Sequence, residues 1–91
     1  MNEVCICAAI KMSDGYIARG QRHGDCIKHI NERYTYLGKG VTWGGSVQGF
    51  ITGHNRFVTR EEGRKLQDAA GIKSADPEGY RYDTLFSEDL Y

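Results

Sequence analysis

The 91-residue sequence has no surplus of either charge: twelve lysines and arginines are balanced by twelve aspartates and glutamates. Proteins that hold long nucleic acids draw much of their affinity from phosphate neutralisation and carry a basic excess. A long duplex partner is therefore excluded, and so is a polybasic hold on an anionic membrane. A small ligand with one or two phosphates is not, because two or three placed arginines suffice for it. The chain also lacks a long apolar run. The stretch Val4 to Ile10 falls short of the ~20 residues a bilayer span needs, and it has no basic flank like that of a signal peptide. A cytoplasmic protein is expected. Three cysteines without a Cys-x-x-Cys pair do not make a disulfide framework there and are read as reduced thiols. Internal repeats and low-complexity segments are absent.

What is present fits one domain over residues 1–91. A chain this short buries only about two-thirds of the surface its unfolded form exposes, which makes self-association a reasonable expectation. Val4 to Ile10 is apolar throughout and reads as a central strand covered on both faces. Ser13-Asp14-Gly15 supplies a turn, and Tyr16 to Arg19 a returning strand. From His23 to about Tyr34 the period becomes helical, with Cys26, Ile27, Ile30 and Tyr34 on one stripe. Gly38 to Gly49 holds five glycines around Trp43 and reads as a mobile loop, with room for a short strand at 41–43. Its Gly-Lys-Gly lacks the spacing of a Walker motif. Ser46 to Thr52 is a strand, Gly53-His54-Asn55 a turn, and Arg56 to Val58 a short strand. Thr59 and Glu62 then form a capping box for a helix over about 60–70. Gly63, Leu66, Ala69 and Ala70 are expected to face the core, and Gly71 to end the helix. The tail from Lys73 carries Tyr80, Tyr82, Leu85, Phe86 and Leu90, too much apolar surface to hang free. It should dock on its own subunit or on a neighbour. The fold class is α+β: ββα, loop, ββα and a docked tail, with an antiparallel or mixed sheet and two helices on one face.

Several residues invite chemical readings. Cys5, Cys7, His23, Cys26 and His29 tempt a metal assignment, but without paired knuckles they read as core hydrophobes and a helix surface. Cys26 lies on the apolar helix stripe, which argues against a nucleophile paired with His23 or His29. Glu61 and Glu62 suit a helix N-terminus. Glu88 and Asp89, in an aromatic-rich segment, are less easily assigned to that role. Arg22, Arg56, Arg60 and Arg81 stand at element boundaries, with Trp43, Phe50, Phe57, Tyr80 and Tyr82 nearby in sequence. Arginine beside an aromatic plane can hold a base and its phosphate; solvated arginines and core aromatics are the alternative.

The run Gln48-Gly-Phe-Ile-Thr-Gly-His-Asn-Arg-Phe-Val-Thr-Arg-Glu-Glu-Gly63, its continuation to Gly71, the ending Ser87-Glu-Asp-Leu-Tyr91 and the earlier Arg22-His-Gly-Asp-Cys26 together resemble the first-described family of phage Thoeris anti-defence proteins, the signal sponges. The resemblance covers most of the chain and is weakest over 36–46. It departs in a shorter middle segment, in Gly63 where the family pattern has alanine, and in His54 at the turn. What it implies is a protein without catalytic residues, cofactor or metal. Such a protein sequesters cyclic nucleotide-derived immune signals (glyco-cyclic ADP-ribose and, in some members, cyclic oligonucleotides of CBASS systems) in the cytoplasm of the infected host. The assembly expected is a homodimer or a hexamer built as a trimer of dimers. Carried onto this sequence, Phe50 would stack on adenine, Thr59 and Arg60 would meet ribose and phosphate, and Asp89 would accept from a ribose hydroxyl or the adenine amine. Arg22, His23 and Asp25 match the opening motif, and Arg81 is a further stacking or phosphate arginine. Arg56 joins the ligand set as a boundary arginine. The alternatives are a small phage enzyme that degrades such nucleotides with Glu88 or Asp89 as base, and a protein–protein interaction domain.

Overall fold

Polar turn chemistry divides the chain into two hairpins, each followed by a helix. Cys5–Lys11 (β1) and Ile17–Gly20 (β2) are joined by a turn in which Gly15 takes a φ of +92° and Asp14 accepts from the Tyr16 N–H at 3.0 Å. This is the self-bonding for which aspartate is favoured in turns. His23–Tyr36 (α1) follows, then Val47–Thr52 (β3), Phe57–Thr59 (β4), Arg60–Ala69 (α2) and a single 3-10 turn, Ser87–Asp89. The computed structural model describes residues 3–80 and 83–90.

The strands lie in the order β2-β1-β3-β4, and each neighbouring pair is antiparallel. The sheet is thus antiparallel rather than mixed, and β1 is central. In register, Ala8 faces Phe50, Phe50 faces Val58 and Ile10 faces Ala18, which sets these side chains in rows on one face. Both helices cover that face. Cys26, Ile30 and Tyr34 of α1, Leu66 of α2 and Leu85 of the tail join the same apolar cluster. Gly63 lets α2 approach closely: a Cβ there would lie 3.2 Å from the Cys5 sulfur and 3.3 Å from Phe50.

The second face corrects the expectation that β1 is covered on both sides. Among the described residues no helix lies over it, and a bulge between Cys5 and Cys7 leaves Ile6 52% exposed. Arg19 on β2 bonds Asn55 in the β3–β4 turn at 2.8 Å. Its side chain therefore spans β1 and β3, above the fully buried Ala9 that it faces in register.

Three local expectations also change. Ile27 is 38% exposed rather than part of the α1 core stripe. Ala69 is exposed, while Gln67 is buried and its Oε1 accepts from the Cys5 N–H at 2.9 Å. A polar residue holds that core position because it satisfies the first backbone donor of β1. Residues 41–43 form no strand. The tail docks on its own subunit: Leu85 is fully buried and its N–H donates to the Arg60 carbonyl at 2.9 Å.

Candidate functional site

At the start of α2 the Thr59 hydroxyl accepts from the Glu62 N–H at 3.2 Å, and Glu62 Oε1 accepts from the Thr59 N–H at 2.9 Å. This reciprocal cap fixes the direction in which Arg60 leaves the helix. The guanidinium of Arg60 donates to Gln48 Oε1 and lies 4.7 Å from the centre of the Phe86 ring. Burial lowers its pKa, while the nearby Glu88 raises it. Arginine keeps its charge regardless, so the shift marks a cation partly withdrawn from water. Among the described residues no carboxylate lies within ion-pair distance of it. Around it opens a cleft of about 410 Å³, with Ser46, Gln48, Thr59, Arg60, Glu61 and Thr84 in its walls.

His23 opens α1, near enough to Arg60 and Glu88 for both charges to act on it. It is buried, and its Nε2 lies 2.9 Å from the Gly49 carbonyl oxygen. Because that oxygen can only accept, Nε2 carries the proton. Its ring meets Phe50 edge to face at 5.2 Å and 78°. Burial is the main cause of its lowered pKa; the Gly49 bond opposes that, Arg60 adds to it and Glu88 opposes it. The structure thus brings together His23, Thr59, Arg60 and Glu88, with Arg22 beside His23 as the residue capping α1. The backbone N–H of Arg22 donates to Asp25 Oδ2 at 3.1 Å.

Other residues singled out in the sequence are placed elsewhere. Phe50, expected to stack on a base, has no exposed surface and belongs to the core cluster under the helices. Asp89 is 6% exposed and accepts from the Ser74 hydroxyl and from the Phe86 N–H at 2.9 Å. It anchors the 3-10 turn instead of presenting a carboxylate to a ligand. Arg56 sits at the opposite end of β4 from Arg60 and pairs with Glu3 at 2.7 Å. Arg81 lies outside the described residues. Sequence reasoning passed over Thr84, and took Phe86 only as an apolar tail residue and Ser46 only as the start of a strand. It quoted Gln48 only as the start of a motif, although strand alternation puts Gln48 on the Phe50 face, where a polar residue marks the end of the core.

A second cleft of about 450 Å³ lies beyond α2, with Asp68, Ile72, Lys73, Pro77 and Tyr80 among its lining residues. Arg64, which borders it through two of those residues, is already engaged, paired with Asp68 and stacked on Tyr80 at 4.0 Å. The described residues contain no group of three or more potential metal ligands. Burial pushes the Cys5 and Cys26 thiols up to about 11, and the thiolate is the reactive form. No helix among the described residues is long and apolar enough to cross a membrane. A family model described as the phage T4 y16D protein matches residues 4–91. Nothing among curated proteins or solved structures matches.

Proposed function

The chain belongs to the phage T4 y16D protein family, and from that premise we propose that it is a phage anti-defence protein. In this reading it binds a cyclic nucleotide-derived immune signal of the cyclic ADP-ribose type in the host cytoplasm and withholds it without chemical change. The observation that carries the proposal is Arg60: a partly buried guanidinium, stacked on Phe86 and steadied by Gln48, without a carboxylate partner among the described residues and facing a cleft of ligand size. A desolvated cation of this kind gains from an anion far more than a solvated one does, and its planar fork suits two phosphate oxygens. The positive end of α2 adds to that attraction. Glu61 and Glu88 bring negative charge to the same region. One guanidinium against two carboxylates disfavours a polyphosphate. It suits a ligand with few phosphates, whose ribose hydroxyls or base amine donate to the acids.

A non-catalytic role is favoured because Cys5 and Cys26 are buried with raised pKa values and Asp89 is committed to the tail. The test is a melting experiment with cyclic ADP-ribose isomers, followed by heat release and identification of the ligand. At a hundredfold excess over Kd, binding to the folded state adds about 2.7 kcal/mol, which in a domain this size raises Tm by roughly 10 °C or more. The ligand should be recovered intact, and Arg60→Gln should abolish the shift while retaining the fold. Recovery of a hydrolysed product would replace this reading with an enzymatic one.

A further inference from the structure

A nucleotide site needs a flat apolar surface for the base as well as a cation for the phosphate. Neither nearby phenylalanine offers a free face: Phe50 is sealed in the core, and the Phe86 ring carries the Arg60 guanidinium. Trp43, the sole tryptophan of the sequence, is 42% exposed. It opens the turn that ends at Ser46, whose N–H and hydroxyl both donate to the Trp43 carbonyl, at 3.1 and 2.6 Å. Ser46 is a wall of the Arg60 cleft. The ends of such a turn lie within about 7 Å of each other, so Trp43 is tethered one turn from that wall. The loop is seated on either side of Trp43, by Val41 against the core and by Gly45, where an added Cβ would lie 3.2 Å from Ser13, while a Cβ at Gly38, Gly40 or Gly44 would meet nothing within 4 Å. A single exposed aromatic is common on a protein surface; what singles out Trp43 is its tether to the wall of the Arg60 cleft.

We infer that Trp43 is the base-stacking wall of the Arg60 cleft, so that the ligand is a phosphate ester carrying a nucleobase rather than a bare sugar phosphate. This rests on the Arg60 cleft being the ligand site, as proposed above. Because every base presents a π-face, stacking tolerates base identity, and adenine and guanine ligands should be accepted alike at this wall.

The test uses the full chain with two probes, cyclic ADP-ribose and ribose 5-phosphate, measured by calorimetry and by tryptophan emission. Cyclic ADP-ribose should change Trp43 emission along the same saturation curve that calorimetry gives. Trp43→Ala should weaken cyclic ADP-ribose binding by about tenfold or more, the scale of one base–aromatic stack, and Trp43→Phe should recover most of it. Ribose 5-phosphate should bind more weakly, with the same affinity in the unsubstituted and Trp43→Ala proteins, and Arg60→Gln should abolish both. If Trp43→Ala binds cyclic ADP-ribose normally while Arg60→Gln does not, the cleft stands and Trp43 is removed from it. If neither probe binds the unsubstituted protein, the proposed function falls and this inference with it.

Discussion

Arg60 shows how one side chain takes on a role from its surroundings. On an open helix surface it would be a solvated charge of little consequence. Here the Phe86 ring covers one face and Gln48 occupies one edge, which leaves the remaining N–H groups pre-aimed. Lysine cannot reproduce that arrangement, because it has no plane to stack and no fork. Arg60→Lys should therefore retain the fold and lose at least about tenfold in cyclic ADP-ribose affinity by calorimetry, roughly the 1.4 kcal/mol of one lost charge-assisted bond. Equal affinity in the two proteins would show that charge alone suffices. Gly49 makes the opposite point, a residue that matters for what it lacks. A Cβ there would stand 2.0 Å from the Val58 carbonyl oxygen, so β4 would have to move. Gly49→Ala should cost about 3 kcal/mol in urea unfolding, and a cost under 1 kcal/mol would mean that β4 yields freely.

At the scale of elements, α2 is held at both ends by different means. The Thr59–Glu62 cap sets its start, and Thr59→Ala should cost about 1 kcal/mol, read as a lower urea midpoint at unchanged slope. Leu85 holds the tail against α2 and the sheet. Leu85→Ala should cost about 3 kcal/mol and expose residues 72–80 to limited proteolysis before the sheet unfolds. These elements differ in how far the sequence reveals them. The α2 cap, the two turns and the ββαββα order were legible because each depends on residues adjacent in the chain. The positions of Gln67 and Ile27 were not. Gln67 is buried to meet a backbone donor 62 residues away, and helical periodicity alone cannot anticipate that. For the candidate site, it is the placement of its residues that the sequence reveals in part. Thr59 and Arg60 announce themselves at a helix start, whereas the burial of Phe50 and the anchoring of Asp89 depend on tertiary packing from the tail.

The molecule as a whole carries no net charge, so its pH response comes from individual groups. Burial holds the pKa of His23 below its ordinary 6.5, so the unfolded chain takes up that proton more readily than the folded one. Its contribution is fully present above about 6.5 and fades as pH falls. Glu3, held at about 2 by hydrogen bonds from Arg56 and Thr52, adds a second loss between 4.5 and about 2. The urea midpoint should therefore be lower at pH 5.5 than at pH 7.5, and His23→Gln, whose amide can still donate to the Gly49 carbonyl, should remove most of that difference. A midpoint unchanged over this range in the unsubstituted protein would contradict the assignment. The strand order β2-β1-β3-β4 has a consequence in time. Each hairpin can close locally, in about 1–10 μs. The seam between β1 and β3, however, joins residues no closer in the chain than Lys11 and Val47. Bringing them together means closing a loop that contains α1 and the glycine-rich segment, at an entropic cost that glycine raises. The loop that leaves Trp43 exposed must thus be closed before that seam can form, and shortening it at Gly38–Gly40 should quicken refolding in stopped-flow kinetics more than it changes stability.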